Sequence, residues 1–288
     1  MTAVYLNGSF IHADQARISP MDRGFLFADG VYEVIPVFNG VMFRGEEHLV
    51  RLDRSLDGLG IARPHTTDVW MELCEEIVKR NGGGTTSVYL QVTRGAPGKR
   101  DHLYPAASVG ATVFMATSPI GLSAVHDIEG AKGSSAILLD DIRWGRCDIK
   151  SIALLPNVMA RQKAADAGAI EAIFIRDGLV TEGSSTNVFI AKDGVVATPP
   201  RSNKILGGIT RQLVIELCAK AGLALEEREI SKDELLAADE IWVSSSSKDA
   251  APIVSLDGKS VGQGRPGPVW KKLAAQFLDY KSTVCGLS

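Results

Sequence analysis

The sequence predicts an α/β fold in two domains, and three observations carry that prediction. Segments with the two-residue alternation of strands recur along the chain, interleaved with segments whose apolar residues return every three or four positions, as on a helix. Asn-Gly and Asp-Gly dipeptides, which accept positive φ, separate paired strands as hairpin turns. The 288 residues, 45% hydrophobic and 23% charged, suffice for two cores of ordinary size.

Taken in order, the chain opens with a hairpin over Val4 to Ile11, broken at Asn7-Gly8, and a second follows, Val31 to Phe38 against Val41 to Arg44 around Asn39-Gly40. Leu49, Leu52, Leu56 and Leu59 line one face of a helix from Glu46, with Arg51, Arg54 and Asp57 on the other. Asp68 caps a second helix that ends at Asn81-Gly82. Ser87 to Arg94 and Gly110 to Thr117 read as strands, joined by the turn-rich loop Gly95 to His102. Composition loosens between Ser118 and Gly133, which sets the domains at 1–120 and 121–288. Ile142 and Trp144 alternate with Asp141 and Arg143 as in a half-buried strand leading to Lys150. Next come a helix over Asn157 to Ala167, a hairpin from Ala172 to Glu182 turning at Asp177-Gly178, and the strand Val188 to Ala191. Gly207-Gly208 precede a helix with Thr210 as hydroxyl N-cap, and Ser231 to Glu234 forms a capping box. The strand from Glu240 ends in Ser244 to Ser247, and a last amphipathic helix carries Val269, Leu273, Phe277 and Tyr280.

Charge narrows the function. A net charge of -3 and a pI near 6.0 favour neither nucleic acid nor an anionic membrane as partner, so small-molecule chemistry is expected. The four cysteines are far apart and form no Cys-x-x-Cys, which argues against a disulfide framework or a zinc site. Without a basic segment before an apolar stretch, or an apolar run of membrane-spanning length, a cytoplasmic location is expected.

Lys150 ends a segment of aspartates and arginines before the apolar run Ile152 to Leu155. A surface lysine in an ion-pair network explains it, and so does an amine poised to attack a carbonyl. The second reading needs cationic neighbours or burial to lower the pKa, and Arg143 and Arg146 are the candidates. Gly207-Gly208 can be a turn, the serines a loop, Glu182 a surface charge and Arg51 a solvated helix position. Together they describe one ligand. A helix N-terminus, serine hydroxyls and an arginine suit a phosphate, a lysine suits an aldehyde, and a lone acid suits a pyridinium nitrogen, which points to pyridoxal phosphate.

The order of Asp22-Arg23-Gly24, Asp29-Gly30-Val31-Tyr32-Glu33, His48 to Leu52 with Arg51, Asp141 to Trp144 with Lys150-Ser151, Val180 to Val188 with Glu182 and Asn187, and Gly208-Ile209-Thr210-Arg211 resembles the fold-type IV pyridoxal-phosphate enzymes, and most closely their D-amino acid transaminases. The resemblance covers nearly the whole chain. It implies a small N-terminal α/β sandwich domain, a larger C-terminal α/β pseudo-barrel domain and a homodimer. It implies that Lys150 is the Schiff-base lysine and proton shuttle, and that Glu182 pairs with the pyridine nitrogen. Arg51, the amides of Ile209 and Thr210, the Thr210 hydroxyl and Ser246 would hold the phosphate, with Ser245 beside it. Leu206 would pack on the ring, and Arg143 would lie near Glu182. Tyr32, Arg100 and His102 resemble the trap that fixes the α-carboxylate of a D-amino acid. The implied reaction is transamination between a D-amino acid of the D-alanine or D-glutamate type and pyruvate or 2-oxoglutarate. A branched-chain or R-selective amine transaminase, an aminodeoxychorismate-lyase-like enzyme and a non-catalytic cofactor-binding module are the alternatives.

Overall fold

The structure is a computed structural model that describes residues 2–121 and 123–287. The chain forms two compact units, one of residues 1–120 with 149–153 and 284–288, the other of residues 121–148 and 154–283.

The first unit is one antiparallel sheet with two helices against it. Strands β1 (Ala3–Leu6) and β2 (Ser9–His12) turn on Asn7 and Gly8, both at positive φ, as the dipeptide demands. A short α1 (Arg23–Phe27), capped by Asp22, leads into β3 (Gly30–Phe38), which turns at Asn39-Gly40 into β4 (Val41–Met42). Helices α2 (Gly45–Leu59) and α3 (Thr67–Arg80) precede β5 (Thr86–Thr93) and β6 (Thr112–Pro119). The strand order is β2-β1-β6-β5-β3-β4. Leu49, Leu52 and Leu56 of α2 and Trp70, Cys74 and Ile77 of α3 close one core with Val31, Ile35, Val88, Leu90 and Met115 of the strands. Thr66, not Asp68, caps α3, its hydroxyl accepting the Val69 amide. Arg51 leaves the polar face expected of it and is buried, while Arg54 and Asp57 stay exposed.

The second unit is a nine-stranded mixed sheet with helices. It runs through β7 (Ser134–Asp140), α4 (Leu155–Asp166), β8 (Glu171–Arg176), β9 (Leu179–Gly183), β10 (Asn187–Lys192), β11 (Val195–Thr198), α5 (Ile209–Lys220) and β12 (Leu225–Glu227). It continues through α6 (Lys232–Leu236), β13 (Glu240–Ser245), β14 (Asp249–Leu256), β15 (Lys259–Ser260) and α7 (Pro268–Cys285). The order is β12-β11-β10-β13-β14-β7-β8-β9, with β15 on β14. Strands β7 and β8 are parallel and joined through α4, the crossover that such a pair requires.

Two sequence expectations change here. Residues 141–144 form no strand, and their pattern is inverted, since Ile142 and Trp144 are 66% and 44% exposed while the Arg143 and Asp141 side chains are buried on each other. A buried ion pair has overridden the apolar alternation. The N-cap of α5 is Gly208, which leaves Thr210 inside the first turn with its hydroxyl not used for capping. No helix among the described residues is long and apolar enough to cross a membrane.

Leu52 is fully buried at the centre of the first core. Leu52→Ala should therefore destabilise the first unit by about 2 to 5 kcal/mol, read as an earlier urea transition, whereas an unchanged transition would place Leu52 outside the core.

Candidate functional site

In the first unit the site is organised by one buried acid. Glu33 alternates with Tyr32 along β3 and so faces α2, where His48 and Arg51, three residues apart, share a face. Arg51 donates to both carboxylate oxygens, Nε to Oε1 at 2.7 Å and Nη2 to Oε2 at 2.8 Å, and the His48 ring lies 2.8 Å from Oε2. Burial opposes the charge on Glu33, but Arg51 and then His48 outweigh it and hold the carboxyl well below its usual range. Burial, with the Arg51 and Lys150 charges, pushes His48 down against the pull of Glu33, so the ring is neutral at pH 7 and its Nδ1–H donates.

The lysine segment is stitched to this frame by its backbone. Tyr32 N donates to Lys150 O (3.0 Å), Ile152 N to Gly30 O (3.0 Å) and Lys150 N to Ser55 Oγ (3.2 Å), which is why residues 149–153 join the first unit although sequence order assigns them to the second domain. Gly30 permits the approach, since a Cβ there would meet Ile152 Cδ1 at 3.0 Å as well as Val92 O of the neighbouring strand at 2.7 Å. Lys150 Nζ lies 4.1 Å from the Tyr32 ring centroid, and no carboxylate of its own unit among the described residues pairs with it.

Arg100 and His102 sit on an exposed loop, gathered on Phe27, at 4.9 Å and 5.3 Å from its ring centroid. No hydrogen bond or ring contact among the described residues joins them to Tyr32, the third member of the expected trio.

In the second unit Glu182 is buried on β9. Its Oε1 accepts from Arg143 Nη1, and its Oε2 from Leu206 N (2.9 Å) and Asn187 Nδ2 (3.2 Å). Asn187 also donates to Leu206 O (2.9 Å), so it fixes both the acid and the segment before α5. A carboxylate offers about four acceptor positions, and three are filled. Burial pushes Glu182 up to about 7 even though Arg143 draws it down. Arg143 also holds Asp141 through Nε and Nη2 (both 2.9 Å), and Arg146 is ion-paired with exposed Asp148. Both arginines are thus neutralised by acids, which removes the uncompensated charge expected of them as perturbers of Lys150.

Register places Ser244 on β13 opposite Asn187 on β10. The Ser244 hydroxyl is buried without a partner, and Ser245 accepts from Lys248 N at 3.2 Å across the turn. The Thr210 and Ser246 hydroxyls take no partner among the described residues, and the Ile209 and Thr210 amides open α5. Unfilled donors at a helix start and in a serine turn fit a phosphate, and an acid with one acceptor position left fits a protonated ring nitrogen, so the residues present fit pyridoxal phosphate. No group of three or more His, Cys, Asp or Glu side chains suited to a metal occurs among the described residues.

Sequence reasoning missed Asn187 as a working residue, and with it Asp141, Glu33 and Glu171. Glu171 lies fully buried at the start of β8 and accepts from the Ser184, Ser185 and Thr186 hydroxyls, which shapes the loop between β9 and β10. The signal was an acid embedded in apolar strand sequence, at Glu33 and again at Glu171.

Glu182 supplies a pH test. Its proton is held more tightly in the folded chain (about 7) than in the unfolded one (4.5), so its contribution to stability is complete below 4.5 and is lost as pH rises through about 7. For protein without cofactor, Glu182→Gln should remove this loss, and the stability difference between variant and wild type should grow across that window. A difference that stays constant would contradict the assignment.

Residues 30–256 match the family model described as amino-transferase class IV. The chain is 45% identical to the D-alanine aminotransferase of Bacillus licheniformis, with 94% of each chain covered. It is 38% identical to that of Staphylococcus aureus (strain COL), with 97% of this chain and 98% of the relative covered. Among solved structures, the branched-chain amino acid aminotransferase from Escherichia coli superposes with a TM-score of 0.86 at 25% identity, over 99% of this chain and 95% of the other. The chain belongs to the class IV aminotransferase family.

Proposed function

We propose that this chain is a pyridoxal-phosphate-dependent transaminase that moves the amino group of a D-amino acid, of the D-alanine or D-glutamate type, to pyruvate or 2-oxoglutarate. The observation that carries the reading is the contrast between Lys150 and the buried arginines of its own unit: Arg51 and Arg94 are matched by acids, whereas the half-buried amine of Lys150 faces a tyrosine ring. The near-full-length likeness to D-alanine aminotransferases and the Arg100-Asp101-His102 loop support D-amino acids as the substrate class.

The bound cofactor supplies the aldehyde that receives the amino group and the ring that accepts the electron pair from Cα. Lys150 would hold the cofactor until the substrate amine displaces it, and its freed Nζ would then move the proton from substrate Cα to the carbon that receives the amino group. Glu182 holds the ring nitrogen with its remaining acceptor position, and Arg143 and Asn187 fix Glu182. The Ile209 and Thr210 amides, the Thr210 hydroxyl and Ser246 hold the phosphate with Arg51, and Ser245 sits beside them. Glu33 accepts two of the Arg51 N–H groups, so much of the phosphate binding falls on α5 and the serine turn. Leu206 would pack on the ring. Arg100, with His102 and Tyr32, holds the α-carboxylate, because a guanidinium fork matches a carboxylate and fixing it decides which face of Cα meets Lys150. A homodimer belongs to the same proposal, supported by the exposed apolar stripe Leu155, Val158 and Met159 on α4.

Mixing the holoenzyme with single amino acids tests the reading. D-alanine should discharge the visible band of the aldehyde form, and L-alanine and L-leucine should leave it; discharge by L-leucine instead would favour the branched-chain alternative. Arg100→Ala should raise KM for D-alanine about tenfold to a hundredfold with cofactor capture intact. Loss of cofactor in that variant would contradict the assignment of the loop.

A further inference from the structure

The residues from Arg94 to Ala111 lie outside any strand or helix, and Arg100, His102, Leu103 and Tyr104 among them are exposed. A loop of that composition has little to fix its shape. Beneath it, however, lies the guanidinium of Arg23, only 4% exposed. Its Nη1 donates to the carbonyls of Asp101 (2.5 Å) and Leu103 (3.2 Å) and its Nη2 to that of His102 (3.4 Å), while Nε is held by Asp29 Oδ2 at 2.7 Å. One side chain thus gathers three successive carbonyls.

We propose that Arg23 is the positioning residue of the Arg100–His102 loop and thereby sets how strongly the enzyme discriminates for substrates with a correctly placed α-carboxylate. The inference rests on the reading of Arg100 and His102 as carboxylate-binding residues. Arg23 and Phe27 lie four apart on α1 and reach the same loop, and the Phe27 ring carries Arg23 (4.9 Å), Arg100 (4.9 Å) and His102 (5.3 Å). A second buried arginine braces the arrangement. Arg94 holds both oxygens of Asp29 (2.8 and 3.0 Å), donates to the carbonyls of Leu59 and Gly60 at the end of α2, and stacks on Tyr104 at 3.7 Å. Burial works against the charge on Asp29, but hydrogen bonds from Arg94 and Arg23 prevail, so it remains a carboxylate. Only arginine fits the Arg23 position. Its planar fork serves an acid through Nε and carbonyls through both terminal nitrogens, which a lysine ammonium cannot do from one point. Since the released carbonyls are near the surface, losing the fork frees the loop to water more than it unfolds the unit.

The test uses the holoenzyme with D-alanine. Arg23→Met keeps the apolar stem and removes the fork, and it should raise KM about tenfold or more while kcat changes far less and the cofactor band is unaltered. Arg23→Lys, which retains the charge, should fall between wild type and Arg23→Met, and it is read the same way should the methionine variant fail to fold. In an Arg100→Ala background, Arg23→Met should add little, because both act through one loop. Full additivity, or both Arg23 variants matching wild type in KM, would overturn the inference with the functional reading intact. A wild-type enzyme that turns over no D-amino acid would instead remove that reading, and the inference with it.

Discussion

A charge taken out of water must be matched, and this constraint shapes every functional segment of the chain. Glu33 is matched by Arg51 and His48, Asp29 by Arg23 and Arg94, Asp141 by Arg143, and Glu171 by a ring of hydroxyls. Each array ties separate segments of the chain together. Removing one partner would strand the other as a buried charge, so these sites are stiff where the chemistry needs fixed geometry.

Two other lysines follow the same rule, buried Lys281 with Asp249 and half-buried Lys248 with Glu171. Lys150 departs from it within its own unit. The departure is what a nucleophilic amine requires, because a carboxylate beside it would hold the proton that it must lose before attacking a carbonyl. Glu182 shows the complementary departure: burial raises it against the pull of Arg143, and a cation at its remaining acceptor position would stabilise the anion.

Much of the fold was legible in the sequence because local chemistry decides it. Asn7-Gly8 and Asn39-Gly40 require hairpins, and the leucines of α2 admit only one buried face. The segment from Asp141 to Trp144 misled because alternation assumes that apolar residues go inside, whereas here an ion pair occupies the interior and Ile142 and Trp144 face out. The motifs that suggested the chemistry marked Lys150, Glu182 and Thr210 by residue type and spacing. The residues that support them were hidden, since the partners of Asn187, Glu171 and Arg23 are set by how strands and loops are brought together rather than by local pattern. For the same reason the sequence could not assign residues 149–153 to the first unit, where the backbones of Gly30 and Tyr32 hold them.

The proposed function asks above all that one amine carry the cofactor. Borohydride reduction of the protein loaded with pyridoxal phosphate, followed by peptide mapping, reads that amine directly. The account predicts one stable adduct per chain, on Lys150. An adduct on Lys204 or Lys248 with Lys150 unmodified, or no adduct at all, would contradict it.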